Sequence, residues 1–131
     1  RFGNTPQIWH GLSRGAAVTF IAAALAHRHN PAALKALKLI ILEGCYASVE
    51  SDLHTLTDSQ LAISCAQTYF SWWYDYKRNG ISPLHVLKDF PRTIPTVFIT
   101  SKADKQVPKE ETDKLVSELV NAGHDNIYYL V

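Results

Sequence analysis

Two short stretches of this chain are apolar at nearly every position. They run from Leu37 to Leu42 and from Thr96 to Thr100, and both are rich in Leu, Ile, Val and Phe. A strand with one wet face alternates apolar and polar residues, whereas a nearly continuous apolar run is typical of a strand covered on both faces of a parallel sheet. The two runs therefore predict buried strands of an α/β fold.

Helical patterns separate these strands from two more candidates. An alanine-rich stretch from Ala16 to His29 has apolar residues at helical spacing and stops at Asn30-Pro31. A second helix is predicted after Pro108, with an apolar stripe at Leu115, Val116, Leu119 and Val120 and an end at residues 121–123. Residues 7–10 and 127–131 flank these helices as strands. The order predicts a mostly parallel sheet with helices on both faces.

The middle of the chain, about residues 45–92, has a different composition. It holds most of the aromatic residues, with a cluster at residues 69–74. Residues 57–59 (Thr-Asp-Ser) can cap a helix that continues to Tyr69 and Phe70, and Asn79-Gly80 would break it. We expect residues 1–131 to form part of one domain, with residues 45–92 inserted as a small helical cap.

Length and charge narrow the class of protein. The chain has 131 residues and a formal net charge of +1, which suits a single domain and gives no electrostatic reason to expect a nucleic-acid partner. The apolar stretch from Ala16 to Ala26 is shorter than the ~20 residues that span a bilayer. The sequence opens on Arg1, shows no signal peptide, and is expected to be an interior segment of a longer protein.

The two cysteines, Cys45 and Cys65, are too few for a disulfide framework and have no metal-site spacing. We expect two reduced thiols that behave as small apolar residues, which favours a reducing, cytoplasmic compartment. The sequence implies no metal and no organic cofactor.

The sequence Gly11-Leu12-Ser13-Arg14-Gly15 matches G-x-S-x-G between a predicted strand and a predicted helix. In this motif a tight, strained turn presents the serine hydroxyl at the helix N-terminus, and the glycines let strand and helix approach each other. The alternative is a simple Gly-Ser turn into a helix. Because ligands bind at the carboxyl ends of parallel strands, the fold would bring Ser13, Gly44 and Asp104 to one edge.

With these motifs, the chain resembles the α/β-hydrolase family. Residues 11–16 are similar to its nucleophile turn, and residues 94–108, which include Asp104-Lys105-Gln106-Val107-Pro108, are similar to the strand and loop that carry its acid. The resemblance implies Ser13 as nucleophile, Asp104 as triad acid and the Arg14 backbone N–H as oxyanion donor. A loop aspartate can also be a turn residue. Glu43 or Asp52 would then be the acid.

The same resemblance places the catalytic histidine after the last strand, where this chain ends. His124 precedes that strand, at the opposite edge from Ser13, and His10 precedes the serine, with its side chain expected to point into the sheet layers. We expect all six histidines to be structural or surface residues. The base and the second oxyanion donor would then come from further chain or from a second copy in a homo-oligomer, and residues 1–131 alone would be inactive.

The resemblance predicts hydrolysis of a small-molecule ester, or else a thioester or amide, through an acyl-serine intermediate. Substrate contacts are expected from Leu12, Tyr46, Trp72 and Trp73, although the aromatic rings could equally pack the cap onto the sheet. One alternative is a catalytically incomplete hydrolase-fold module used for binding or assembly. Another is an unrelated doubly wound domain in which residues 13–15 cradle a phosphate, although no further glycine fingerprint accompanies them.

Overall fold

The sheet of this protein has parallel strands in the order in which the chain reaches them. A computed structural model describes residues 5–48, 59–74, 81–104 and 106–131. Within them the strands are β1 (Gln7–Leu12), β2 (Leu37–Glu43), β3 (Thr96–Ile99) and β4 (Ile127–Leu130). Each pairs in parallel with the next, in the order β1-β2-β3-β4. The predicted strands are confirmed, and so is the α/β fold class.

The three predicted helices are present, and a short helix at residues 83–86 was not predicted. They are α1 (Arg14–His29), α2 (Gln60–Tyr74), α3 (Pro83–Val86) and α4 (Lys109–Asn121), with 3₁₀ turns at Pro31–Leu34 and Leu87–Asp89. At the start of α2 the Ser59 hydroxyl oxygen accepts a hydrogen bond from the Ala62 N–H at 3.4 Å. The other predicted cap residues, Thr57 and Asp58, lie outside the described residues, as does the predicted break at residues 79–80.

The end of α4 shows why the helix stops there. Gly123 has φ of 86°, in the left-handed region that glycine enters without strain. The N–H groups of Gly123 and His124 then donate to the Val120 and Leu119 carbonyls at 2.9 and 3.1 Å. Leu115 and Leu119 are fully buried, but Val120 is 55% exposed. The buried stripe is therefore narrower than predicted.

The helices that contact the strands lie on one face of the sheet. Gly11, Leu42, Phe98 and Tyr129 are neighbours in register across the four strands and so face the same side. Gly11 faces α1, and the Tyr129 hydroxyl bonds Asp113 of α4. This follows from topology, because right-handed crossovers that all advance in one direction place their helices on one side.

The opposite face of the sheet is exposed at its two outer strands, β1 and β4. Four large apolar side chains there, Ile8, Leu12, Tyr128 and Leu130, are 55 to 62% exposed. On this face β2 and β3 are half-buried, whereas their helix-facing residues are buried. The expectation of helices on both faces is therefore met on one face within the described residues, and the strands predicted to be buried on both sides are buried on one.

The core lies between the helix layer and the sheet. Phe20 of α1 stacks on Phe90, with ring centroids 4.1 Å apart and an interplanar angle of 6°. Ile40, Leu42 and Phe98 form the floor of this core from the sheet side and are fully buried. None of the helices within the described ranges combines the length and apolar character needed to cross a bilayer.

Candidate active site

Ser13 occupies a strained turn between β1 and α1. Its φ of 53° and ψ of −122° make it the one non-glycine residue with positive φ in the described part of the chain. Its N–H donates to the Glu43 carbonyl at 2.7 Å, and its carbonyl accepts from Ala16 at 2.9 Å. The turn is thus fixed from both sides. Such a backbone conformation costs on the order of 1–3 kcal/mol and is concentrated at functional sites in proteins.

The side chain of Ser13 does not cap the helix that follows it. A serine that serves as a helix cap has extended backbone, and its oxygen accepts a hydrogen bond from the second or third helical N–H. Ser13 has neither the backbone nor the hydrogen bond. The predicted alternative of a simple Gly-Ser turn into a helix does not account for this geometry.

The two glycines of the motif differ in what they permit. A Cβ on Gly11 would lie 2.5 Å from the Gly15 carbonyl oxygen and 2.6 Å from the Ala16 Cα, so β1 and α1 could not approach as they do. A Cβ on Gly15 would meet nothing within 4 Å. Of the two glycines expected to allow this approach, only Gly11 is required by the contacts of the described residues.

Ser13 and Asp104 line the same cavity, which measures about 210 Å³ at the carboxyl edge of the strands. We call it the serine cavity and define it by Leu12, Ser13, Glu43, Gly44, Thr100, Ser101, Asp104 and Gln106. The structure therefore brings both predicted triad residues, and the predicted substrate contact Leu12, to one site.

Asp104 is held by the backbone of its own loop. Its Oδ1 accepts hydrogen bonds from the N–H groups of Gln106 at 2.8 Å and Val107 at 3.1 Å. Its Oδ2 lies 3.6 Å from the point where a Cβ of Gly44 would stand. Gly44 has φ of 58°, which disfavours a side chain there. One carboxylate oxygen thus fixes the loop, which is the turn role foreseen for Asp104, and the other lies beside Gly44.

Tyr46 ties the segment after β2 to the same loop. The residue is buried, and its hydroxyl donates to the Gln106 carbonyl at 2.7 Å. Nearby, the Ala47 N–H donates to the Glu111 carboxylate at 3.2 Å, and the Thr112 hydroxyl donates to the Cys45 carbonyl at 3.2 Å. These bonds hold the loop that contains Asp104 and Gln106, and the start of α4, against the end of β2.

Thr100, which lines the serine cavity, has a buried hydroxyl that sequence reasoning did not single out. The residue is 7% exposed, and its Oγ1 makes no hydrogen bond with any described residue. Leaving such a group unpaired costs roughly 1–3 kcal/mol. No feature of the sequence at Thr100 distinguishes it from an ordinary strand-end threonine.

Glu43, the alternative acid, also lines the serine cavity. Its carboxylate lies 3.5 Å from His10 Nε2, and both side chains are about half exposed. The prediction that the His10 side chain points into the sheet layers is wrong, because this side chain is exposed. Strand alternation puts it with Ile8 and Leu12 on the exposed face. Asp52, the other alternative acid, lies outside the described residues.

The described histidines do not include any that lines the serine cavity. His124 is buried at the opposite edge of the sheet, where its ring nitrogens lie 3.1 Å from the Leu119 and Phe90 carbonyls. His27 bonds the Asp89 carbonyl, and His85 bonds the Ser82 hydroxyl. His29 is exposed at the end of α1, and His54 lies outside the described residues.

A second cavity, of about 240 Å³, lies beside the first. We call it the apolar pocket and define it by Arg14, Ala17, Val18, Ile21, Tyr46 and Ile81. Tyr46 is the predicted substrate contact found here, whereas the side chains of Trp72 and Trp73 lie outside the described part of α2. Helical spacing of residues 14, 17, 18 and 21 could have suggested this wall from the sequence.

The four-stranded parallel sheet and its helices match solved structures of the α/β-hydrolase fold. The first is the Pyrococcus horikoshii acylaminoacyl peptidase, in its orthorhombic crystal form, with 17% identity and a TM-score of 0.59. The match covers 98% of this chain and 19% of that one. An acylaminoacyl peptidase in complex with Z-Gly-Gly-Phe-chloromethyl ketone matches at 18% identity and a TM-score of 0.61, with the same coverage.

Another match is alpha/beta hydrolase domain-containing protein 10 from mouse. It has 15% identity and a TM-score of 0.53, over 96% of this chain and 52% of that one. The chain thus spans about a fifth to a half of the length of these proteins. No family model matches it, and no curated protein matches by sequence. At these identities the likeness establishes the fold.

Proposed function

We propose that this chain carries the nucleophile and the acid of a serine hydrolase that cleaves an ester, or else a thioester or amide, through an acyl-serine intermediate. The observation that carries the proposal is the backbone of Ser13. This serine is held at positive φ, makes no cap hydrogen bond, and lines a cavity that Asp104 also lines. Backbone strain at a serine whose hydroxyl does not cap the following helix supports a chemical role.

In the proposed reaction Ser13 Oγ attacks the substrate carbonyl carbon, and its proton passes to a histidine base. The C–O, C–S or C–N bond to the leaving group then breaks, and the base gives that proton to the leaving group. Water, deprotonated by the same base, hydrolyses the acyl-serine and restores Ser13. The base is taken from outside the described residues.

The other roles are assigned to groups at the same edge of the sheet. Asp104 Oδ2, beside Gly44, orients the base and stabilises its cation while Oδ1 holds the loop. The Arg14 N–H lies in the first turn of α1, where the positive end of the helix macrodipole favours a developing anion. It is the proposed oxyanion donor, and such a donor is worth about 3 kcal/mol.

Residues 45–92 are proposed as the cap, and Leu12 and Tyr46 as substrate contacts. One of the structural neighbours is an acylaminoacyl peptidase in complex with a peptide-like chloromethyl ketone. This neighbour supports the inclusion of acyl-amino-acid amides beside esters among the substrates to be tested.

A fluorophosphonate probe on the complete natural polypeptide that carries these residues tests the nucleophile. We expect labelling of the wild type and none of Ser13→Ala. Ser101→Ala is the matched control, since Ser101 is a second serine in the serine cavity. Loss of label in Ser101→Ala with retention in Ser13→Ala would transfer the role to Ser101.

The competing function is that of a hydrolase-fold module that binds or assembles without catalysis. It is favoured by the lack of any described histidine around the serine cavity. Turnover of p-nitrophenyl acetate and of N-acetyl-phenylalanine p-nitroanilide separates the two. A folded polypeptide that neither takes the probe nor turns over either substrate would establish the non-catalytic function.

A further inference from the structure

The apolar pocket is built on one face of α1. Arg14, Ala17, Val18 and Ile21 follow the i, i+3, i+4, i+7 spacing that aligns side chains along a helix. Tyr46 and Ile81 form the facing wall, and both belong to the segment between β2 and β3. The two walls come from parts of the chain more than twenty residues apart, and the space between them is apolar in character.

This pocket lies directly beside the proposed nucleophile. Arg14, the residue that follows Ser13, lines it. On the other wall the Tyr46 hydroxyl reaches the carbonyl of Gln106, which lines the serine cavity. A group attached to a carbonyl carbon at Ser13 therefore has the apolar pocket within short reach.

The rim and the size of the pocket indicate what would occupy it. Val18 is 64% exposed and Ile81 is 55% exposed, so an apolar ligand group between them would remove both from water. The volume of about 240 Å³ exceeds the roughly 150 Å³ that accommodates benzene in an engineered protein cavity. A phenyl ring on a linker of two or three carbons fits this space.

We propose that the apolar pocket binds the acyl group of the substrate and selects arylalkyl or branched apolar acyl chains. This inference rests on the proposed function, because it takes Ser13 as the residue that is acylated. The acyl group is chosen over the leaving group because it stays bonded to Ser13 in both halves of the reaction. Arg14, the residue that follows Ser13, already lines the apolar pocket.

The test compares p-nitrophenyl 3-phenylpropanoate with p-nitrophenyl acetate on the complete natural polypeptide. We expect kcat/KM to favour the phenylpropanoate by roughly tenfold or more. Ala17→Leu fills the pocket and should abolish this preference. Ala22→Leu is the matched control, because Ala22 is an exposed residue of the same helix that does not line the pocket. Equal preference in Ala17→Leu and the wild type would overturn the proposal.

A second pair of variants tests the pocket at exposed residues, where a substitution does not disturb the packing of α1. Ile81→Ala removes an exposed wall residue and should reduce the preference severalfold. Val120→Ala, at an equally exposed position on α4, should leave it unchanged. A preference that is insensitive to Ile81→Ala in the folded protein would also overturn the proposal.

Binding of ethyl 3-phenylpropanoate to the Ser13→Ala protein, measured by calorimetry, separates the two hypotheses. Binding that Ala17→Leu weakens, in a polypeptide that has no Ser13-dependent turnover, would retain the pocket and refute the hydrolase. Suppose instead that turnover depends on Ser13, that the wild type shows no acyl preference, and that Ala17→Leu does not weaken binding. That result would retain the hydrolase function and refute the role of the apolar pocket.

Discussion

The contact between β1 and α1 at Gly11 gives the sharpest test of the strand-turn-helix motif around Ser13, which we call the elbow. In Gly11→Ala the new Cβ would lie 2.5 Å from the Gly15 carbonyl oxygen, 2.6 Å from the Ala16 Cα and 2.7 Å from Thr19 Oγ1. The threonine hydroxyl can rotate away. The other two atoms belong to the backbone of α1, so relief requires movement of the helix itself.

The size of that movement sets the expected cost. Ordinary contact begins at about 3.4 Å, so α1 must retreat from β1 by nearly 1 Å. Ala16 and Phe20 lie on the same helix and are fully buried, and they would lose their packing. We expect Gly11→Ala to lower the free energy of unfolding by about 3 kcal/mol, at the upper end of the range for overpacked cores.

Gly15→Ala is the matched control within the same motif. Its Cβ meets nothing within 4 Å, and Gly15 does not have positive φ. Alanine is favoured over glycine in helices by roughly 0.5–1 kcal/mol. Gly15→Ala is therefore expected to leave stability unchanged or to raise it by up to that amount.

Urea unfolding followed by circular dichroism measures both variants, and the rate of fluorophosphonate labelling reports on the elbow. We expect a lower midpoint and slower labelling in Gly11→Ala alone. Equal damage in both variants, or none in Gly11→Ala, would refute the steric argument.

Three further outcomes follow from the described contacts. Asp104→Asn should lower turnover by about 10⁴-fold, as expected for loss of a triad acid, while Glu43→Gln should retain most of it; the reverse ranking in kcat/KM would assign the acid to Glu43. Burial raises the pKa of the Cys45 thiol to about 12. Iodoacetamide at pH 8 should therefore modify the exposed Cys65 and leave Cys45 intact. Comparable alkylation rates of the two cysteines, measured by mass spectrometry, would contradict this burial. His124→Phe removes the ring nitrogen that lies 3.1 Å from the Phe90 carbonyl, while the Leu119 carbonyl keeps the His124 backbone N–H, and should destabilise by roughly 1–3 kcal/mol in urea. Slower labelling of Ser13 in the folded variant would bring His124 into the site.

The strands and helices could be predicted because their evidence is local. An apolar run such as residues 37–42 and a helical stripe such as residues 115–119 depend on neighbouring residues alone. Whether the second face of a strand is covered depends on the direction of every crossover, which no short window contains. This is why the apolar runs of β2 and β3 do not indicate which of their faces the described helices cover, and why the side of the sheet on which His10 lies was missed.

The candidate site was predictable where a motif fixes backbone geometry. The elbow at Ser13 and the loop at Asp104 meet at one edge because parallel strands end together. The apolar pocket was missed because its walls, α1 and the residues around Tyr46 and Ile81, meet only in the folded chain. Gly15 fits the sequence motif, although its contacts do not demand glycine.

The energetics of Ser13 differ from those of a serine that caps a helix. A capping serine has relaxed, extended backbone, and its hydroxyl contributes about 1 kcal/mol through one helical N–H. Ser13 forgoes that contribution and also bears the cost of positive φ. The neighbouring structure enforces this conformation, because the Ser13 N–H is fixed to the Glu43 carbonyl and the Ser13 carbonyl to Ala16. Two unfavourable choices at one residue, beside a cavity shared with Asp104, support selection for the position of the hydroxyl rather than for stability.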